Sequence, residues 1–468
     1  MNSKPGNNKK HFPRVMIAAE RSGCGKTTFT CGLLQLLKKH GKMPVSFKCG
    51  PDYIDPMFHE KVLGVPSTNL DSYFLDEAGI KNLIYDRADD GDCGVIEGVM
   101  GIYDGINADS VQYSSYEVSV NSGTAIILMV NARGAGRTLI SVIKGILADD
   151  ENRKIKGIIL NQISEGYYQR LRPVLENELN VAGLDTKILG FLPKNDEISI
   201  SSRYLGLNLP EEIQGLHEQI NLMADMIEKY TDVDAILELM ELSDELDSHD
   251  TDSNNEDSLK ESGKGLTIAV AKDEAFCFYY KENIEAFEKK GVSIVYFSPL
   301  NDEALPDNIS GLLLGGGYPE QYAKELSENT SMLKSIKNAY DTGLPCIAEC
   351  GGFMYLHKIV KMNDEEYPMV GALDATAEYT GHLVRFGYFN ISECNDFSGL
   401  TGMKGHEFHY FDSTDNGDDA LLEKTSTGKL YSAMMIDGRH VMGFPHLYYN
   451  SEPKFVDEFI GVMKGYVR

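Results

Sequence analysis

The sequence predicts an α/β protein built as two doubly wound, mostly parallel sheets in tandem. Three observations point there. Short apolar or β-branched runs alternate with longer stretches of helical period, a glycine-rich phosphate loop joins a strand to a helix near the N-terminus, and an acidic segment splits the alternation into halves. The length of 468 residues suits two or three domains. Apolar residues at 42 % supply ordinary cores, and no apolar run approaches the ~20 residues of a membrane span. With 44 Lys and Arg against 71 Asp and Glu, a net charge of −27, the chain lacks the basic surface a nucleic-acid partner needs. Eight scattered cysteines form neither a disulfide framework nor a zinc pattern, and residues 1–12 lack the apolar stretch of a secretion signal, so a reducing cytoplasm is expected.

In the first half the strands are Arg14–Ala19, Pro44–Lys48, Gly94–Ile96, Thr124–Val130, Ile155–Leu160 and Lys187–Leu192, with helices such as Thr27–His40 and Arg137–Ala148 between them. From Thr231 to Lys264 there are twelve acidic residues and two basic ones, too few of them apolar past Leu246 to offset ordering, which reads as a helix end and then a solvated linker. The expected organisation is therefore residues 1–230, a linker over 231–264, and residues 265–468. In the last segment the strands are Leu266–Ala271, Val292–Phe297, Gly311–Leu314, Pro345–Ala348 and His440–Phe444. Their continuous apolar character implies sheets covered on both faces.

The strand Val15–Ala19 runs into Glu20-Arg21-Ser22-Gly23-Cys24-Gly25-Lys26-Thr27-Thr28 and then a helix. Backbone N–H groups around Ser22, Gly23 and Gly25 would cradle phosphate, with Thr28 closing the loop; Lys26 would neutralise the terminal phosphates, and the Thr27 hydroxyl would meet Mg²⁺. Glu20 replaces the first glycine of the usual pattern. The strand Val95–Ile96 ends in Glu97, where a nucleotide-binding sheet places a metal ligand. In Phe47-Lys48-Cys49-Gly50-Pro51-Asp52-Tyr53-Ile54-Asp55, Lys48 is positioned to hold a transferring phosphoryl group; Asp52 or Asp55 would contact metal or substrate, and spacing does not choose between them. Asn161, at a strand end, is placed to read adenine, although an Asn there is more often a turn residue.

In the second half, Leu312–Leu314 leads into Gly315-Gly316-Gly317-Tyr318-Pro319-Glu320, a turn that permits close backbone approach. The strand Pro345–Ala348 leads through Glu349 to Cys350-Gly351-Gly352 and an apolar helix, a nucleophile elbow with sulfur as the attacking atom and its thiolate stabilised by the helix N-terminus. Cys346 reads as core. The base is His406, His409 or His446, and His446 is favoured because it follows a late strand. His406-x-x-His409 alone is weak support for a metal.

In order, S-G-x-G-K-T-T, G-P-D-Y-I-D-P, V-I-E-G-V-M-G-x-Y-D-G, L-G-G-G-Y-P-E, A-E-C-G-G-F-M-Y-L and G-H-E-F-H-Y resemble the cobyrinate a,c-diamide synthase family, from about residue 14 to 450. The resemblance implies a dethiobiotin-synthetase-like, ATP- and Mg²⁺-dependent amidoligase over 1–230 and a class I-like glutamine amidotransferase over 265–468. It implies the a and c acetates of a tetrapyrrole polycarboxylate of the cobalamin pathway as substrate, L-glutamine as nitrogen donor, and ammonia passing to the first domain without meeting bulk water. Catalytic roles fall on Cys350, His446 and Lys48, nucleotide binding on Ser22, Gly23, Gly25, Lys26, Thr27, Thr28 and Asn161, and Mg²⁺ on Thr27, Asp52 and Glu97. The family often carries a second histidine two residues after the catalytic one, where this chain has Tyr448, and it resembles amidotransferases without the third triad carboxylate, so the dyad would act alone. A homodimer is among the assemblies this implies. The rivals are amidation of Ni-sirohydrochlorin and, more distantly, a P-loop ATPase scaffold without glutaminase activity.

Overall fold

Every residue of Arg14–Ala19 (β1) is buried, and its side chains alternate between two cores: Met16 and Ala18 face one, Val15, Ile17 and Ala19 the other. That is the burial a central parallel strand requires. The computed structural model describes residues 9–195, 197–198, 210–247 and 261–467. It divides into two units, Met1–Asp250 and Thr251–Arg468.

In the first unit, β1 is joined by Pro44–Cys49 (β2), Ser67–Leu70 (β3), Cys93–Glu97 (β4), Ala125–Asn131 (β5), Ile155–Asn161 (β6) and Lys187–Leu192 (β7) in the order β3-β2-β4-β1-β5-β6-β7. All six pairings are parallel. Lys26–Lys39 (α1) follows β1, and Ile54–Leu63 (α2) follows β2. β3, with its sequence Ser-Thr-Asn-Leu, is a strand that composition does not announce.

The segment from 231 to 247, assigned above to the linker, belongs to this unit. Helix Val233–Glu241 buries Ala235, Ile236, Leu239 and Met240 in the α1 core, and Leu246–Asp247 pairs antiparallel with Lys9–Lys10. Its acidic residues are the solvated face of an amphipathic helix. The remainder of the acidic run, 248–260, lies outside the described residues.

The second unit is organised around Thr267–Ala271 (β8), Ser293–Phe297 (β9), Gly311–Leu314 (β10) and Cys346–Glu349 (β11). With His440–Gly443 they form a parallel sheet, edged by antiparallel Met435–Ile436. Ile268 and Val270 face one core, Ala269 and Ala271 the other. Between β11 and His440 the chain departs from alternation. Arg385–Cys394 (β12) and Lys404–His409 (β13) belong to a five-stranded antiparallel sheet, and a four-stranded sheet is built from strands between His357 and Ser413. His440–Gly443 is β14, and His446–Leu447 (β15) joins the five-stranded sheet beside β13. No helix among the described residues is long and apolar enough to cross a membrane.

Candidate active site

In the first unit the phosphate loop follows β1, and the side chains expected around it gather at the carboxyl ends of the parallel strands. Lys48 and Glu97 are register partners on β2 and β4. Lys48 Nζ reaches Asp55 Oδ2 at 2.5 Å and Glu97 Oε1 at 2.9 Å, with Asp52 Oδ2 at 3.9 Å. Thr27 Oγ1 donates to the same Glu97 Oε1 at 2.5 Å, and Lys26 Nζ donates to the Met100 carbonyl at 2.5 Å. Gly25 has φ 91°, and a Cβ there would meet Asn161 Nδ2 at 2.8 Å, so this turn requires glycine. Ser22 and Gly23 are exposed, whereas Gly25, Thr27 and Thr28 are half-buried and Lys26 is buried.

Burial sets the charge states. It raises Glu97 to about 7, against Lys48, which pulls the other way. Burial alone would lower Lys48, but Glu97, Asp55 and Asp52 hold it raised. Burial would likewise raise Asp55, yet the neighbouring Lys48 keeps it below its ordinary value. Asp52 is raised by burial and by the Asp55 charge, and Lys26 is lowered by burial and by Lys48.

Asn161 Nδ2 donates to the Cys24 carbonyl at 2.8 Å and its Oδ1 accepts from the Gln162 N–H at 2.9 Å, so the amide fastens the phosphate loop. Asp52 Oδ1 accepts the N–H groups of Ile54 and Asp55, an N-terminal cap on α2, while Asp55 makes the close contact to Lys48. Sequence reasoning also passed over His59, one turn after Asp55, whose Nε2 lies 3.7 Å from Glu97 Oε2. The spacing of four residues along α2 was the available signal.

The oxygen donors Thr27 Oγ1 and Glu97 suit a hard cation such as Mg²⁺. Glu97 Oε2 is buried without a hydrogen-bond partner among the described residues, so it has acceptor capacity to give.

In the second unit β11 ends at Glu349, and Cys350 turns the chain with φ 48° and ψ −103° into helix Gly351–Leu356. A non-glycine residue in that region is strained and is held by its surroundings. The Cys350 N–H donates to the Gly443 carbonyl at 2.8 Å, and a Cβ at Gly352 would lie 2.1 Å from the Leu314 carbonyl oxygen. A Cβ at Gly351 would stand 3.2 Å from the Gly317 nitrogen. The cysteine elbow and the glycine turn therefore meet backbone to backbone. Glu349 and Gly443 are register partners on β11 and β14, so Cys350 and His446 leave the sheet at one end.

Cys350 is half-buried, and burial together with the Glu320 charge pushes its thiol up to about 12. Deprotonation calls for a base. His446, buried, is held neutral at about 3 by burial, with His409 adding to the effect. Its ring stacks on His406 with centroids 4.9 Å apart and planes at 12°, and the two are register partners on β13 and β15. His409 instead stacks on Phe444 and binds the Phe411 carbonyl through Nδ1 at 2.7 Å. The described residues contain no group of three or more His, Cys, Asp or Glu suited to a metal ion. His446 is not without a carboxylate neighbour: its Nδ1 is 3.9 Å from Glu349 Oε2. Burial lifts Glu349 to about 8.

Gly316 packs against this imidazole, since a Cβ there would fall 2.4 Å from His446 Cε1. Gly316→Ala must push the ring aside.

Residues 15–205 match the CobQ/CobB/MinD/ParA nucleotide binding domain, and residues 267–443 match the CobB/CobQ-like glutamine amidotransferase domain. The cobyrinate a,c-diamide synthase of Clostridium tetani is 41 % identical over 84 % of this chain and 86 % of its own. That of Clostridium acetobutylicum is 42 % identical over 84 % and 86 %, and that of Listeria innocua 34 % identical over 96 % and 99 %. The chain therefore belongs to the cobyrinate a,c-diamide synthase family of glutamine-dependent amidating ligases.

Proposed function

We propose that this chain amidates the a and c acetate carboxylates of cobyrinate or hydrogenobyrinate, using ATP to activate each carboxylate and glutamine as the nitrogen source. A carboxylate is a poor acyl donor to ammonia. Its oxygen attacks the γ-phosphorus of ATP, releasing ADP and leaving an acyl phosphate; ammonia then displaces inorganic phosphate to give the amide. Lys26 and the loop backbone hold the phosphates. Lys48, poised between Glu97 and Asp55, balances the charge of the transferring group. Thr27 and Glu97, with the Asp52 carboxylate beyond Lys48, would hold Mg²⁺, which supplies charge neutralisation to the phosphates when bound.

The nitrogen comes from the second unit. His446 takes the thiol proton as Cys350 attacks the glutamine side-chain amide carbon, and the same proton passes to the departing ammonia. Backbone N–H groups of the paired glycine turns hold the oxyanion, and water hydrolyses the thioester to glutamate. The observation that carries this reading is the strained Cys350 elbow, closed on the glycine turn at the sheet end from which His446 also emerges.

The test incubates the protein with ATP, Mg²⁺, glutamine and cobyrinate, hydrogenobyrinate or Ni-sirohydrochlorin, and weighs the products. A diamide of cobyrinate or hydrogenobyrinate is expected. Amidation of Ni-sirohydrochlorin alone would move the activity to the other ring, and ATP turnover without glutamine hydrolysis would leave only the scaffold reading.

A further inference from the structure

Glu349 is an anomaly of its strand. Cys346, Ile347 and Ala348 are buried and apolar or nearly so, and the next residue puts a carboxyl group into the same packed sheet with 7 % of its surface exposed. A buried carboxyl is costly unless its oxygens are engaged. Oε1 accepts from the Tyr449 hydroxyl at 3.0 Å, and the other oxygen, Oε2, points to His446 Nδ1 at 3.9 Å. That separation is about 1 Å longer than a hydrogen bond, a gap of the kind that closes when substrate is bound.

The imidazole is fixed on its other sides. His406 stacks on it and is itself held by Tyr280, whose hydroxyl lies 3.1 Å from His406 Nδ1, and Gly316 lies against Cε1. The other nearby acid, Glu407, is already engaged: Tyr431 donates to it at 2.6 Å, Arg385 lies at 3.4 Å and His409 at 3.8 Å. Tyr448 packs edge-on against Tyr280 with centroids 5.3 Å apart.

Building on the Cys350–His446 reading, we infer that Glu349 is a positioning residue of the glutaminase centre. Once ionised, above its burial-raised value of about 8, its carboxylate accepts a hydrogen bond from His446 Nδ1–H as the imidazole takes up the thiol proton at Nε2. The sulfur loses its proton to Nε2, Nδ1 keeps its own, and the positive ring and the carboxylate stabilise each other until ammonia carries the proton away. The groups facing His446 are His406 and Glu349, with Glu407 and His409 beyond them, so a change in its titration on altering Glu349 reports that one neighbour.

The test compares wild type with Glu349→Gln and Glu349→Asp. For Glu349→Gln the kcat for glutamine hydrolysis is expected to fall on the order of 10- to 1000-fold with KM moving less than about twofold. Ammonia-dependent amidation should be retained, and the side-chain nitrogen resonances of His446 should show a changed tautomer or protonation equilibrium. Glu349→Asp should recover part of the rate. Should Glu349→Gln fail to fold, as judged by lost ammonia-dependent activity, Glu349→Asp alone decides, since a shorter carboxyl must still lower kcat. Wild-type kcat and unchanged His446 resonances in a folded variant would overturn the inference. If Cys350→Ala still hydrolysed glutamine, the dyad reading itself would fail, and the two failures are thereby separable.

Discussion

Cys350→Ala is expected to abolish amidation with glutamine and to leave amidation with added ammonium salt close to wild type. Removing the sulfur removes the only atom assigned to attack the glutamine amide, so glutamine hydrolysis should drop to background, a loss on the order of 10⁴-fold or more. The site should survive the change. Cys350 is half-buried, its backbone geometry is held by the N–H bond to Gly443, and the glycines that follow it are packed against main chain and proline. Alanine keeps the Cβ that this geometry already accommodates, although the positive φ retains its strain. Glutamate release measured beside tetrapyrrole mass reads both halves of the outcome. Equal loss with glutamine and ammonia would contradict the division of labour between the units.

Lys26→Ala should abolish amidation with either nitrogen source. The lysine is buried, its ammonium group donates to the Arg21 and Met100 backbone carbonyls, and burial beside Lys48 lowers its affinity for a proton. A terminal phosphate is the partner that would relieve that desolvation. Losing it should slow acyl phosphate formation about 10³-fold or more, roughly 4 kcal/mol of barrier. Glutamine hydrolysis measured alone should persist, because Cys350 and His446 belong to the other unit. ADP release, amide formation and glutamate release, followed together, distinguish this from unfolding.

Much of the fold could be read from the chain because its strands are buried on both faces. Continuous runs such as Val15–Ala19 and Leu312–Leu314 have no other use in a protein of this composition. The regions that escaped lack that signature. β3 carries Ser67, Thr68 and Asn69, and the strands between His357 and Ala433 mix exposed and buried positions that resemble loops. Charge counting over 231–264 hid the four-residue recurrence of Ala235, Leu239 and Ile236, Met240, which marks a helix packed on a core.

The candidate sites were legible where chemistry demands a backbone shape. Gly25 and Cys350 stand at turns whose dihedrals few other arrangements would use. Choices among like residues were not legible. Asp52 and Asp55 divide capping from ion pairing, and Asn161 ties down a loop, through contacts that depend on how distant segments meet. Glu349 escaped for another reason. It was quoted within the cysteine motif, but the pairing of Glu349 with Gly443 across β11 and β14 is what brings His446 close to it.

The most direct measurement follows the nitrogen. With [amide-¹⁵N]glutamine, ATP, Mg²⁺ and the tetrapyrrole, in buffer containing unlabelled ammonium at low concentration, the diamide should carry ¹⁵N at both new amides, and Cys350→Ala should yield only unlabelled product. Labelled diamide from Cys350→Ala, or product from the wild type that carries only the nitrogen of the buffer, would contradict an account in which this thiol feeds the activated carboxylates.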